Sequence, residues 1–105
     1  MNGLPRATTG PPAPGTVVVP RERSLSETVP PYRVLLHNDD VNDMGHVVRA
    51  LLESVPELTT ERAAEIMLEA HLHDVAEVIQ CPLERAELYR DRLESFGLTA
   101  TIEAV

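Results

Sequence analysis

The sequence predicts an α+β domain of two layers, in which three helices pack against one face of a small antiparallel sheet of three strands. Three segments have the short apolar pattern of strands and three have apolar residues at helical spacing, in the order β-α-α-β-α-β. The chain has 105 residues, enough for one such domain. Residues 1–31 hold seven of the nine prolines and three of the five glycines. We therefore predict a disordered, proline-rich tail over residues 1–30 and a folded domain over residues 31–105.

The first part of the domain is predicted to be a strand followed by a helix. Residues 32–37 are apolar and β-branched enough for a strand, and the turn-forming residues Asn38-Asp39-Asp40 end it. Asn42 or Asp43 is suited to cap the helix that follows. The apolar residues of that helix recur at i, i+3, i+4, i+7 and i+8, and they are Met44, Val47, Val48, Leu51 and Leu52.

The second part is predicted to contain two helices and two strands. A second helix begins near Thr59 or Thr60, runs to about His71 or Leu72 and buries a stripe formed by Ala63, Ile66, Met67 and Ala70. Residues 75–79 are expected to form a short strand, although Glu77 interrupts its apolar pattern. The third helix begins near Pro82, which suits a first helical position, and Gly97 ends it. Apolar and polar residues alternate over 98–103, which indicates a half-buried strand.

Composition and charge argue against several classes of protein. The single cysteine, Cys81, cannot form an intrachain disulfide framework. No segment approaches the roughly 18 apolar residues of a membrane span, and the start lacks a signal-peptide pattern, so we expect a cytoplasmic protein without a membrane partner. The net charge is −8, and residues 31–105 carry 15 acidic side chains against six arginines. Such a surface repels nucleic acid and favours a cationic partner such as a protonated amine.

The residues suited to catalysis or metal binding do not form a recognisable site. Cys81 is the only nucleophile besides hydroxyl groups, and it precedes Pro82 without a neighbouring base. A calcium loop beginning at Asp40 would place Met44 at position 5 and Leu51 at position 12, where oxygen ligands are needed. We therefore predict a protein that is not an enzyme and that binds no metal or cofactor.

The remaining candidate is the polar turn Asn38-Asp39-Asp40, which lies beside the apolar stripe of the first helix. Amide and carboxylate oxygens, together with a neutral ring nitrogen of His71, accept hydrogen bonds from an ammonium group. The residues alone leave two interpretations open. One is a site that binds a free peptide N-terminus, and the other is a solvated turn with a surface histidine.

Two separated runs resemble the ClpS adaptor family. They are residues 31–40 (PYRVLLHNDD), followed by Met44 and Val47-Val48, and residues 62–71 (RAAEIMLEAH). The resemblance covers about residues 31–103. It implies an adaptor, expected to be a monomer, that binds the exposed N-terminal residue of a substrate protein (an N-degron) when this residue is Leu, Phe, Trp or Tyr. The adaptor would deliver the substrate to the N-domain of a Clp AAA+ unfoldase of the ClpA or ClpC type.

The resemblance also implies roles for individual residues. Asn38, Asp40 and His71 would hold the α-amino group of the substrate, with Asp39 close by. The pocket for the first side chain would be lined by Met44, Val47, Met67, Ala70 and Leu98. Glu84 occupies the place of an acidic residue that contacts the unfoldase N-domain, and the tail would be the extension that the unfoldase engages.

The chain departs from the family pattern after the turn and at one pocket position. Val41-Asn42-Asp43 stands in place of Tyr-Thr-Pro, and Gly45-His46 in place of Glu-Phe. Ala70 stands where valine is usual, so we expect a roomier pocket that rejects substrates less strongly by shape. The changes after the turn leave an alternative function open, that of a ClpS-like modulator that docks on the unfoldase N-domain but has lost N-degron binding.

Overall fold

The structure, a computed structural model, describes residues 29–105, so the predicted disordered tail over residues 1–30 lies almost entirely outside the described residues. The elements are β1 (Tyr32–His37), α1 (Met44–Ser54), α2 (Thr60–His73), β2 (Val75–Cys81), α3 (Leu83–Ser95) and β3 (Thr99–Ala104). Their order is β-α-α-β-α-β, which confirms the predicted α+β class.

β1 is the central strand of the sheet, whose order is β2-β1-β3 with both pairs antiparallel. Val34 of β1 pairs with Ile79 on one side and with Ile102 on the other. Beyond the end of β1, the Asn38 N–H donates a hydrogen bond of 2.8 Å to the Asp74 carbonyl. This bond holds the polar turn that follows β1 beside the C-terminal end of α2.

Alternate strand residues turn one face of the sheet toward the helices, as the twofold periodicity of a strand requires. Val34 and Leu36 of β1 are buried on this face. They pack with buried residues of the other strands and of all three helices, among them Ala50, Leu51, Ala63, Ile66, Ala76, Val78, Ala86, Leu93 and Ala100. Burial of each large aliphatic side chain contributes about 1.5–3 kcal/mol, so this layer is the main source of stability.

The outer face of the sheet explains why a strand forms around Glu77. Ala76 and Val78 are buried on the inner face, so Glu77 between them faces outward. The Arg33 Nε atom lies 3.8 Å from Glu77 Oε1 and 3.6 Å from Glu103 Oε2. An arginine on the central strand thus bridges acidic residues of both edge strands. β2 continues two residues beyond its predicted end, because Gln80 and Cys81 pair with Arg33 and Tyr32 of β1.

Side chains cap the first two helices close to the predicted positions. The Asp43 carboxylate accepts a hydrogen bond of 2.8 Å from His46 N–H and caps α1. The Thr59 hydroxyl accepts one of 3.1 Å from Arg62 N–H and caps α2. Pro82 is the residue before α3 rather than its first helical residue, because its ψ of 156° is extended. The predicted start of the third helix was therefore wrong by one position.

Gly97 ends α3 and fixes the position of the next residue. Its φ is +85°, a left-handed conformation that glycine adopts without steric cost. Gly97 N–H donates to the Glu94 carbonyl (2.9 Å) and Leu98 N–H to the Leu93 carbonyl (3.2 Å). This pair of bonds is that of a Schellman motif. Leu98 is consequently held buried at the junction between α3 and β3.

Candidate functional site

A cleft opens where the end of β1, the start of α1, the C-terminal half of α2 and the residue before β3 converge. Its cavity volume is about 40 Å³, well above the roughly 10–15 Å³ that a single water molecule needs. Its walls are formed by Leu36, His37, Asn38, Asp39, Asn42, Met44, Val47, Met67, Ala70, His71 and Leu98.

The structure brings together the five residues expected to line an apolar pocket. Met44, the first residue of α1, is 47% exposed, and Val47 lies one turn further along the helix. Met67 and Ala70 lie three residues apart on α2 and therefore share one face. Ala70 and Leu98 are only 3% and 5% exposed. The apolar side of the cleft is thus accessible at Met44 and closed by buried residues behind it.

Asn38, Asp39 and His71 form the polar side of the same cleft. Asp39 is half-buried and shapes the turn, since Oδ1 accepts a hydrogen bond of 2.8 Å from Val41 N–H and Oδ2 one of 2.7 Å from the Asn42 side chain. A carboxylate has about four acceptor positions, so Asp39 retains capacity for a further donor. The His71 side chain is exposed in the last turn of α2. Three groups able to accept hydrogen bonds therefore surround one end of the apolar surface.

Two predicted site residues lie outside the cleft. Asp40 is in the same turn as Asp39, but it is exposed and does not line the cavity. Glu84 is exposed in the first turn of α3, a helix that contributes no residue to the cleft. Glu84 therefore belongs to a surface separate from the cleft.

Sequence analysis missed three residues that line the cleft. Leu36 and His37 are the last residues of β1, and the His37 Nε2 atom lies 2.7 Å from Thr101 Oγ1. Their position directly before the polar turn is the sequence feature that could have identified them as lining residues. Asn42 was considered only as a possible helix cap, and Asp43 performs that role. Its amide group instead bonds to Asp39 and to the Gly97 carbonyl.

The chemistry of the described residues is that of binding rather than of catalysis. Cys81 is buried, and burial raises the pKa of its thiol, which disfavours the reactive thiolate. Within residues 29–105, no three His, Cys, Asp or Glu side chains are grouped so that they could hold a metal ion. None of the helices in that range is long and apolar enough to cross a membrane.

A small α+β domain with an apolar cleft, edged by hydrogen-bond acceptors, has the architecture of a ligand-binding protein. Residues 27–101 match the family of the ATP-dependent Clp protease adaptor protein ClpS, and the chain belongs to this family. It is therefore a non-catalytic adaptor of the Clp protease. The resemblance seen in the two sequence runs is confirmed.

Curated relatives support this membership. The Clp protease adapter protein ClpS of Synechococcus elongatus is 46% identical over 88 residues, which cover 84% of this chain and 93% of the relative. That of Prochlorococcus marinus is 46% identical over 87 residues, which cover 83% of each chain. The chloroplastic CLPS1 of Arabidopsis thaliana is 40% identical over 81 residues, covering 77% of this chain and 51% of the relative.

A solved structure has the same fold. It is that of Agrobacterium tumefaciens ClpS2 bound to L-phenylalaninamide, with a TM-score of 0.69. The match covers 73% of this chain and 99% of the other, at 24% identity. At that identity the similarity establishes the fold alone.

Proposed function

We propose that this adaptor binds the free N-terminal residue of substrate proteins, when it is Leu, Phe, Trp or Tyr, and delivers them to the Clp unfoldase for degradation. The observation that carries the proposal is that one cleft combines an apolar wall with the acceptors Asn38, Asp39 and His71. The Agrobacterium relative is bound to L-phenylalaninamide, a molecule with one free α-amino group and one large apolar side chain. The cleft of this chain offers a complementary surface to each of these groups.

The polar side of the cleft would hold the α-amino group. An ammonium group has three hydrogens to donate. The Asn38 side-chain oxygen and a neutral ring nitrogen of His71 accept two of them, and the Asp39 carboxylate adds a negative charge. Asp40, exposed in the same turn, adds a second charge at the mouth of the cleft. The acidic character of this turn favours a cationic ligand.

The apolar side would hold the first side chain of the substrate. Met44 and Met67 lie on facing helices, and methionine adapts to apolar groups of different shape and contacts aromatic edges favourably. Val47, Leu98 and Ala70 complete the wall, and the small side chain of Ala70 is expected to leave more room for the ligand than a larger residue would. This combination suits a pocket that accepts both branched and aromatic residues.

Neither half of the site provides enough affinity alone. Burial of one Leu or Phe side chain gives about 1.5–3 kcal/mol, whereas micromolar binding requires about 8.2 kcal/mol. Charge-assisted hydrogen bonds to the amine, each worth about 1.5–3 kcal/mol, must supply much of the difference. We therefore expect recognition to require both the free amine and the large side chain.

Calorimetric titration with short peptides tests both requirements. A Phe-initiated peptide is expected to bind, and its N-acetylated form is expected to bind about 100-fold more weakly, because acetylation removes the charge and two donors. A Gly-initiated peptide with a free amine is the matched control for the side chain and is expected to bind weakly too. Equal binding of the acetylated peptide would overturn the proposal.

Docking on the unfoldase would use a separate surface that includes Glu84. This residue is exposed on α3, away from the cleft, so a monomer would bind substrate and unfoldase N-domain at once. Glu84→Arg is expected to weaken capture by a ClpA- or ClpC-type N-domain while peptide affinity is unchanged. Glu94→Arg, at the other end of the same helix, is the matched control. Undiminished capture of the Glu84→Arg variant would exclude this assignment.

An adaptor must share a compartment with its protease, so we assign the protein to the cytoplasm.

A second candidate function is that of a modulator that docks on the unfoldase but does not bind N-degrons. One observation favours it: both Asp39 oxygens have partners within the chain, and Asp40 does not line the cleft. In that case the unfoldase N-domain would still capture the protein. The protein would bind no peptide, whatever the first residue of that peptide. The two experiments together therefore separate the two functions.

A further inference from the structure

The side-chain amide of Asn42 forms two hydrogen bonds that join opposite sides of the cleft. Its Nδ2 atom donates to Asp39 Oδ2 (2.7 Å) and to the Gly97 carbonyl (3.0 Å). An amide nitrogen carries two hydrogens, and neither partner is a donor, so both bonds require the nitrogen in this orientation. Asp39 belongs to the polar side of the cleft, whereas Gly97 immediately precedes Leu98 on the apolar side.

His46 forms a second link, to Phe96, the residue before Gly97. Its Nε2 atom lies 2.7 Å from the Phe96 carbonyl, which can only accept, so Nε2 donates the hydrogen. The His46 and Phe96 rings also pack edge to face, with 6.2 Å between their centroids. The carbonyls of Phe96 and Gly97, the two residues directly after α3, are therefore bound by His46 in the first turn of α1 and by Asn42 just before that helix.

Both links depend on the particular side chains that this chain has at positions 42 and 46. A threonine hydroxyl donates one hydrogen and cannot make both bonds of Asn42. A phenylalanine ring has no donor for the Phe96 carbonyl. The connection between the two sides of the cleft is therefore a property of the residues in this chain.

We propose that Asn42 is a positioning residue, which fixes the Leu98 wall relative to the amine-binding turn and thereby sets the affinity for the N-terminal residue. This inference rests on the proposed function. A wall that is already in place before binding costs no ordering free energy when the ligand arrives. Loss of the link is expected to act mainly on dissociation, because affinity differences among variants of one interface are mostly differences in off-rate.

Asn42→Ala is the principal test, and it is made on the full chain. We expect the Kd of a Phe-initiated peptide to rise about tenfold, which is about 1.4 kcal/mol, mostly through a faster off-rate. Asn42→Thr keeps one donor in a side chain of similar size, so an intermediate increase of about threefold is expected. Gln80→Ala is the matched control, because the Gln80 amide also donates to a carboxylate, that of Glu77, on a strand that does not line the cleft.

A second readout distinguishes positioning from general loss of stability. The Leu98 methyl signals in the ¹H–¹³C spectrum of the unliganded protein are expected to shift or broaden in Asn42→Ala and to stay unchanged in Gln80→Ala. Unchanged Leu98 signals, or a Kd for Asn42→Ala within twofold of the unsubstituted protein, would overturn the inference. Tight binding by Asn42→Thr, equal to that of the unsubstituted protein, would do so as well. Failure of the unsubstituted protein to bind the Phe-initiated peptide would instead overturn the proposed function.

Discussion

The Tyr89 hydroxyl donates its hydrogen to the Glu57 carboxylate, with oxygen–oxygen distances of 2.7 and 2.9 Å. Glu57 lies in the loop between α1 and α2, so this bond fastens that loop to the middle of α3. Arg85 adds a cation, with its Nη1 atom 3.6 Å from Glu57 Oε2. The bond from Tyr89 lowers the pKa of Glu57. Burial, together with the bond to Glu57, raises the pKa of Tyr89.

Tyr89→Phe is expected to lower the free energy of unfolding near neutral pH by about 1 kcal/mol, the value of an ordinary hydrogen bond, since the Glu57 side chain is 42% exposed and partly screened. Because the pKa of Glu57 is lowered on folding, its contribution is present above its ordinary pKa of 4.5 and is lost as the pH falls through the lower folded value. Because the pKa of Tyr89 is raised, its contribution is present below 10.0 and is lost as the pH rises through the higher folded value.

Urea unfolding of both proteins between pH 3 and 8 measures this difference. The difference in free energy of unfolding between the unsubstituted protein and Tyr89→Phe is expected to become smaller below about pH 4.5. Tyr32→Phe, which changes the other tyrosine of the chain, is the control and is expected to have a gap independent of pH. A constant gap for Tyr89→Phe over the whole range would contradict a role of the Glu57 charge.

Ser54→Ala is expected to raise the stability of the protein. Ser54 is fully buried at the end of α1, and its hydroxyl has no hydrogen-bond partner among the described residues. Removing an unpaired buried hydroxyl recovers its desolvation cost, so we expect a gain of about 1 kcal/mol in the free energy of unfolding. Ser95→Ala is the control, because Ser95 is exposed, and a change below about 0.5 kcal/mol is expected. A loss of stability in Ser54→Ala would show that the hydroxyl is paired.

The elements of this fold were predictable because each depends on local pattern. The apolar period changes from two in β1 to about 3.6 in α1, and Gly97 ends α3 by its own conformational freedom. The length of β2 was not predictable, because its last two residues, Gln80 and Cys81, are held by pairing with β1. Patterns in the sequence report what a segment does with its neighbours along the chain and not what it meets across the sheet.

The candidate site also contains residues that the sequence predicts and a contact that it does not. Met44, Val47, Met67 and Ala70 were predictable because they lie on the apolar stripes of two helices. The link made by Asn42 was not predictable, because Gly97 is 55 residues away in sequence. A polar residue in a turn has many possible partners, and only the folded chain selects one.

Asp43→Ala is expected to weaken both folding and ligand binding. Asp43 caps α1 through the His46 N–H, and loss of such a cap costs about 1 kcal/mol. The first turn of α1 also carries Met44 at the mouth of the cleft, so fraying there is expected to raise the Kd of a Phe-initiated peptide severalfold. Thr59→Ala removes the equivalent cap of α2, whose first turn does not line the cleft. Urea unfolding is therefore expected to show similar losses of stability in the two variants. Calorimetric titration is expected to show weaker binding only in Asp43→Ala. Weaker binding in both variants would mean that stability alone sets the affinity.

Ala70→Val is expected to narrow the range of first residues that bind. Ala70 is 3% exposed and lines the cleft beside Met67, so two added methyl groups must occupy pocket space. Exclusion by such small groups is worth about 1–3 kcal/mol, so Trp-initiated peptides are expected to weaken at least tenfold relative to Leu-initiated ones. Ala64→Val is the matched control, since Ala64 lies on the same helix, is half-buried and does not line the cleft. It introduces the same β-branched side chain into α2 and is expected to leave the Trp-to-Leu ratio of affinities unchanged. If Ala70→Val weakened both peptides equally, position 70 would affect the packing of α2 and not the size of the pocket.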